Sequence, residues 1–233
     1  MVYLPSKEEA LELFRCKHNP DLLLQDIGYL VNEKPINNPD DKKKAGLNKG
    51  KFYDFWWLNQ WKERKHQVIY IVEEAVCKGL SIITSIYDCV GRPAKGTEED
   101  KFIRSQLLLF DLDDFKKDKF RIAQELFEAH PTLKEDFLLI THSINSLVEK
   151  PRTKTKPAEE AIFRGRGWLL PPVPITKENR DIVVPAIVEY LRNERGYDFI
   201  AENSALGRNR VNYGNGRKDT PPIWLGGGIT KTN

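Results

Sequence analysis

Gln106–Asp114 reads QLLLFDLDD, and its reading decides the fold class. Four apolar residues, Leu107 to Phe110, run without a break into Asp111, Asp113 and Asp114, with Leu112 between the first two acids. Such a run is expected of a central strand buried on both faces. Residues i and i+2 of a strand share a face, so Asp111 and Asp113 converge on one spot as the strand ends. That end is the sheet edge where α/β proteins bind ligands. Two carboxylates that close repel unless a cation lies between them, and hard oxygen donors suit Mg²⁺ or Mn²⁺. A solvated acidic turn is the competing account of the same residues.

Downstream, Phe120, Ala123, Leu126 and Phe127 fall at helical spacing within Lys117 to His130, and FLLITHS (137–143) is the next strand. Strand, helix and strand over 106–142 form a βαβ unit, expected to be parallel and right-handed. In that unit His142 and Ser143 face the acids, and an imidazole there can hold a triphosphate oxygen. A surface histidine at a strand end is the alternative. FRGRGWLLPP (163–172) reads as a strand with Arg164 and Arg166 on one face. Arg208 and Arg210 form a second pair if NRVNY is a strand. Paired guanidiniums offer forked donors for phosphate, although any one of them alone reads as a surface charge. Val183, Val184, Ile187, Val188 and Leu191 mark a helix, kinked or begun at Pro185 and ended by Gly196, with Asp198 just beyond it.

Upstream, Ser6 and Glu9 form a capping box for a helix through Ala10, Leu11 and Phe14. Asn37 to Gly50 reads as a polar loop. FYDFWWLNQW (52–61) holds six aromatics in ten residues. It reads as a core-packing helix with Phe52, Phe55, Trp56 and Asn59 near one face, ahead of the alternative of a base-stacking platform. Residues 67–79 look helical up to Gly79, LSIITSIYD (80–88) is β-rich, and Arg92 to Asp100 is a charged loop.

The chain has 233 residues, 40% hydrophobic and 30% charged, which suits one globular domain with a sizeable core. Net charge is +3, compatible with nucleic acid without demanding it. The cations cluster: Asp40 to Lys51 holds five lysines, among them Lys43, Lys44, Lys49 and Lys51, and Arg208 to Lys218 holds three arginines, Arg217 included, and a lysine. These are the candidate nucleic-acid-binding residues. Cys16, Cys77 and Cys89 form no CxxC pair, so neither a structural zinc site nor a disulfide framework is expected. No apolar run reaches transmembrane length and the N-terminus is charged early, so a cytoplasmic protein without membrane contact is expected. The polar, glycine-rich stretch 226–233 reads as a linker to further domains.

The order IITSIYD, KGTEED, LLLFDLDD, ITHS, RGRGWLLP and YDFIAENSALGRNRVNYGNG resembles the archaeo-eukaryotic primase superfamily, especially plasmid- and virus-type primase–polymerases. The resemblance covers about Gly79 to Lys218. It implies a mixed α/β (α+β) fold: an RRM-like βαβ catalytic core sheet with flanking helices and an N-terminal α/β extension. The catalytic domain would span 1–225, with a helical and loop part to about residue 78 and the core from about 79 to 225. It further implies a template-dependent DNA primase/polymerase, a nucleotidyltransferase using Mg²⁺ or Mn²⁺ in the replication of a plasmid, phage or other mobile element. Asp111, Asp113 and Asp198 would be catalytic metal ligands, and His142 would contact the phosphates of the incoming nucleotide. The partners would be a single-stranded DNA template, a primer strand and an NTP or dNTP, with a fused or associated helicase. One departure stands out: the family carries serine two residues before the histidine, whereas this chain has Ile140-Thr141-His142-Ser143.

Three other readings compete. A haloacid-dehalogenase-type phosphatase shares the hhhDxD strand but normally has Thr or Val where this chain has Phe115. An origin-binding replication initiator needs the basic clusters and not the acids. A degenerate member of the superfamily would bind nucleotides only. Glu202 rivals Asp198 as the late acid; Asp198 is preferred because Tyr197 and Phe199 flank it, where an uncompensated carboxylate is costly.

Overall fold

In the computed structural model, residues 6–15, 26–31, 35–41, 51–57, 76–83, 85–87, 96–105, 108–112, 120–150, 158–169, 171, 173, 175–200 and 215–224 are described. The chain opens as its capping box dictates. The Ser6 N–H donates to the Glu9 carboxylate (2.7 Å), the Glu9 N–H donates to Ser6 Oγ (3.2 Å), and helix α1 follows over Lys7–Arg15. Its Ala10 is fully buried, and Lys7 pairs with Glu189 of a later helix.

The described residues form mixed helix and sheet. Strands β1 (Asp26–Val31), β2 (Lys51–Trp57) and β3 (Ser81–Ile83) make an antiparallel sheet in the order β2-β1-β3. The aromatic segment is therefore extended at Lys51–Trp57 and not helical as its spacing suggested. Aromatic residues favour extended backbone, and that preference outweighs a four-residue match to a helical stripe. β4 (Ser85–Tyr87), β5 (Phe102–Ser105) and β9 (Ile175–Thr176) form a second antiparallel sheet, with a short helix α2 (Glu98–Lys101) leading into β5.

The third sheet carries the stretch that opened the sequence reading. Its order is β10 (Ile223–Trp224), β7 (Leu139–His142), β8 (Gly165–Leu169) and β6 (Leu108–Leu112), with every neighbouring pair antiparallel. β6 and β7 run in the same direction, joined through α3 (Ala123–Ala129) and a single turn α4 (Leu133–Asp136). They are not neighbours, as the simple βαβ expectation had it, because β8 lies between them. The cause is the β7–β8 connection, an irregular hairpin that brings β8 straight back along β7. Ser143 N–H donates to Arg164 O (2.8 Å), Leu147 N–H to Ile162 O (2.8 Å), and Lys150 bridges Glu159.

Two glycines let β8 fit there. A Cβ on Gly165 would stand 2.5 Å from Phe163 Cζ, and one on Gly167 would stand 2.5 Å from Phe137 Cε1. The RGRGW alternation thus gives β8 a flat face for aromatic rings and an opposite face carrying Arg166 and Trp168. The flat face belongs to the main core, with Leu108, Phe110, Leu112, Ile140 and Leu169 under Phe137 and Phe163. Phe110 meets Phe137 edge-on at 6.2 Å.

Helix α5 (Arg180–Glu189) lays Val183, Val184 and Ile187 on that core and continues as a wider turn over Tyr190–Glu194. It begins five residues before Pro185, which sits inside it. Pro185 and Asp181, whose carbonyl loses its helical donor, are both exposed, so water can satisfy that group. Gly196, at φ +72°, lets the chain leave the helix. No helix among the described residues is long and apolar enough to cross a membrane.

Candidate active site

β6 is buried at Leu108, Leu109, Phe110 and Leu112, and only Asp111 opens to solvent. Antiparallel partners share a face, so the register fixes what stands beside that carboxylate. Asp111 pairs with Arg166 of β8, and Arg166 pairs with Thr141 of β7. Acid, guanidinium and hydroxyl form a row across three strands. Arg166 Nε donates to Asp111 Oδ1 at 3.3 Å, with the side chains 12% and 22% exposed, so solutes can reach the pair. Thr141 Oγ1 accepts the Trp168 indole N–H at 2.9 Å, which fixes the hydroxyl against the sheet. Leu109, Trp168 and Leu139 lie buried on this same face, outside the main core cluster.

His142 belongs to the opposite face. Its partners in register are Gly165 and, through it, Leu112, so the alternation turns the imidazole away from Asp111. The ring is buried edge-on against Phe163 (5.1 Å between centroids), and its Nδ1 is 2.9 Å from Ser146 Oγ. Ser146 Oγ also accepts the Arg164 N–H, so the hydroxyl ties the ring to the start of β8. Burial, reinforced by nearby Arg217 and opposed by Asp219, lowers the His142 pKa to about 4, so the ring is neutral at physiological pH. The expectation that His142 faces the acids is corrected accordingly. Ser143 continues the ladder through its bond to Arg164 O, and the alternation puts it back on the Thr141 side.

Arg164 is also committed elsewhere. Its side chain is 4% exposed; Nη1 donates to Asn145 O (3.0 Å) and Val148 O (3.2 Å), while Nη2 donates to Glu159 Oε2 (3.1 Å) and Glu160 O (3.2 Å). It clamps the β7–β8 connection and is not the phosphate fork that its spacing from Arg166 suggested. Arg217 is likewise engaged, with Asp219 (Nη2–Oδ2 2.6 Å) and with the carbonyls of Ser146 (2.7 Å) and Ile144 (3.3 Å). With its donors so occupied, Arg217 is a structural tie between the C-terminal segment and the β7 loop. Lys218 beside it is exposed at a turn.

Asp198 sits half-buried in a turn rather than in a strand, its N–H donating to Gly196 O (3.0 Å). Two residues on, Ile200 bridges Leu112 in antiparallel sense, so the late segment does reach the end of β6 on the side away from β8. Asp113, Glu202, Arg208, Arg210, Lys43, Lys44 and Lys49 lie outside the described residues, as does the side chain of Lys51. Among the described residues no three His, Cys, Asp or Glu side chains form a group that could hold a metal ion. Thr141 is the site residue the sequence reading missed; its signal was a hydroxyl inside an otherwise apolar strand, one residue before the more conspicuous histidine. Comparison with known protein families, with curated proteins and with solved structures gives no match.

Proposed function

We propose that the chain is the catalytic core of a template-dependent DNA primase–polymerase of the archaeo-eukaryotic primase superfamily, transferring nucleotides to a 3′-hydroxyl. The observation that carries this reading is the Asp111–Arg166–Thr141 row, the one break toward solvent in β6. The RRM-like core is supported by β6 and β7 flanking an antiparallel β8, the split βαβ arrangement. Ile200 beside Leu112 supports a late acid, Asp198, acting near the same strand end.

The donor chemistry fits hard divalent cations. Asp111 offers carboxylate oxygens at a solvent-reachable position, and Asp113 and Asp198 would complete a set suited to Mg²⁺ or Mn²⁺. Such ions, when bound, supply a lowered pKa at the primer hydroxyl and charge neutralisation on the triphosphate. The chain's own groups do the rest. Arg166 binds anionic triphosphate oxygens, and Ser143 and Thr141 add hydroxyls along the same row. Lys218, with the lysines of 43–51 and the arginines at 208 and 210, holds the single-stranded template by charge without reading its bases.

Incubating the chain with single-stranded DNA, with and without a primer, plus labelled nucleotides and Mn²⁺ or Mg²⁺ tests the reading. Incorporation that Asp111→Asn abolishes at unchanged thermal stability is the expected result. Salt-sensitive DNA binding with no incorporation under any condition overturns it in favour of the origin-binding initiator.

A further inference from the structure

The end of β7 that carries the site hydroxyls is held from the C-terminal side of the chain. β10 pairs with β7 only at Ile140 and Leu139, so the carbonyls that follow on that outer edge need donors from elsewhere. Residues 215–220 supply them with side chains. Asn215 Nδ2 donates to Thr220 Oγ1 (2.8 Å) and reaches His142 O (3.3 Å) and Ser143 O (3.5 Å). Arg217 Nη1 takes the next carbonyls, Ile144 O (3.3 Å) and Ser146 O (2.7 Å). Asn215 is itself fixed. It is 6% exposed, its Oδ1 accepts the Arg217 N–H (3.1 Å), and its own N–H donates to Val76 O (2.9 Å). The Gly216 N–H donates to Ile36 O (2.9 Å), and a Cβ on Gly216 would overlap Asn37 Oδ1, so a side chain there would push the segment off its seat.

Ser143 is the residue that this arrangement steadies. Thr141 is buried and has its hydroxyl set by the Trp168 indole, whereas Ser143 is half-buried and its Oγ makes no hydrogen bond among the described residues. The direction of that hydroxyl therefore follows from its peptide groups. The Ser143 N–H is bonded to Arg164 O (2.8 Å), and the Ser143 carbonyl accepts from the Ser146 N–H (2.9 Å) and from Asn215.

We propose that Asn215 is a positioning residue of the candidate site. By holding the His142 and Ser143 carbonyls against the junction of residues 36, 76 and 215–220, it aims the Ser143 hydroxyl at a phosphate group of the triphosphate. Asn215 touches no ligand itself; it spares the strand end the ordering that binding would otherwise demand. The role takes its ligand from the proposed function and rests on it. It adds that the site depends on a side chain 73 residues from His142, in the C-terminal segment.

Binding of inorganic tripolyphosphate in the presence of Mg²⁺, followed by titration calorimetry, reads the role without catalysis. Ser143→Ala should weaken binding about tenfold, the loss expected for one hydrogen bond to a charged group. Asn215→Leu keeps nearly the same volume and removes the donors, and it should weaken binding about threefold or more. The Ser143→Ala, Asn215→Leu double variant should bind no worse than Ser143→Ala alone, because Asn215 acts only through that hydroxyl. Losses that simply add, or wild-type affinity in Asn215→Leu, would overturn the positioning role while the active-site reading stood. Arg164→Met controls for general loosening: its side chain holds carbonyls beyond Ser143, so a loss as large as that of Asn215→Leu would also overturn the role. Full coupling between the two residues with no nucleotide incorporation under any condition would overturn the polymerase reading alone. Wild-type protein that binds no tripolyphosphate even at millimolar concentration would sink both. Should Asn215→Leu not fold, the side-chain amide resonances of Asn215 decide: they should shift when tripolyphosphate binds the wild-type chain and stay put in Ser143→Ala, and a stationary wild-type signal refutes the role.

Discussion

Gly167→Ala is the sharpest probe of how the sheet carrying the site is assembled. The added methyl would sit 2.5 and 2.6 Å from Phe137 Cε1 and Cδ1, against an ordinary carbon–carbon contact of about 3.5–4.0 Å. The ring must therefore retreat by about 1 Å. It has little room to do so. Phe137 is 2% exposed, edge-on to Phe110 and beside Tyr197 at 6.3 Å, and its N–H is tied to Leu133 O at 2.9 Å. Overpacking of this kind costs about 1–3 kcal/mol. Against it works the stiffer unfolded chain of alanine, about 0.4–1 kcal/mol in the other direction. Overpacking wins, and the net loss is about 1–2 kcal/mol, or roughly 2–8 °C in melting temperature for a chain of this size. Thermal and urea melts measure it. Phe137→Leu removes the ring edge that the methyl strikes, so the double variant should lose less than the sum of the singles, by about 0.5 kcal/mol or more. A Gly167→Ala protein that melts at or above the wild-type temperature, or strict additivity with Phe137→Leu, would refute the packing of β8 beneath that ring.

Two further outcomes follow from groups that the fold has taken out of the site. His142 has its folded pKa lowered to about 4 from an ordinary 6.5, so the unfolded chain takes up the proton first as pH falls. Stability is then whole above pH 6.5 and is lost progressively down to about pH 4, by on the order of 3 kcal/mol; His142→Asn, whose amide keeps a polar group beside Ser146 and does not titrate, should flatten that part of a urea-melt pH profile. Arg164→Met leaves three carbonyls without their donor while Glu159 keeps its bond to Lys150, so it should cost about 1–3 kcal/mol and open residues 145–160 to proteolysis, with tripolyphosphate affinity unchanged.

How much of this was legible in the sequence depends on whether the deciding contacts are local. The Ser6–Glu9 box, the buried run of β6, the strands within LSIITSIYD and the apolar face of α5 all rest on neighbours a few residues apart, and each stands where the pattern put it. Strand order does not have that property. That β8 lies between β6 and β7 depends on rings at 137 and 163 meeting glycines at 167 and 165, a fit no periodicity reports. The fate of Arg164 turns on carbonyls up to nineteen residues away, in a connection whose course the sequence leaves open.

The misplacement of His142 has a different origin, and it bears on how such sites can be read at all. In β6 a single acid breaks an apolar run, so the polar face declares itself at Asp111, and in β8 the alternation of glycine with Arg166 and Trp168 does the same. β7 is buried at all four positions, Leu139 through His142. A strand covered on both sides has no hydrophobic alternation, and without alternation nothing local says which parity of residue faces the acids. Choosing the most reactive side chain at the strand end then amounts to guessing the parity, and a one-residue error exchanges the faces completely. The parity is recoverable only through the partner strand: Arg166 carries it from Asp111 across to Thr141, and so selects Thr141 and Ser143 over the imidazole between them.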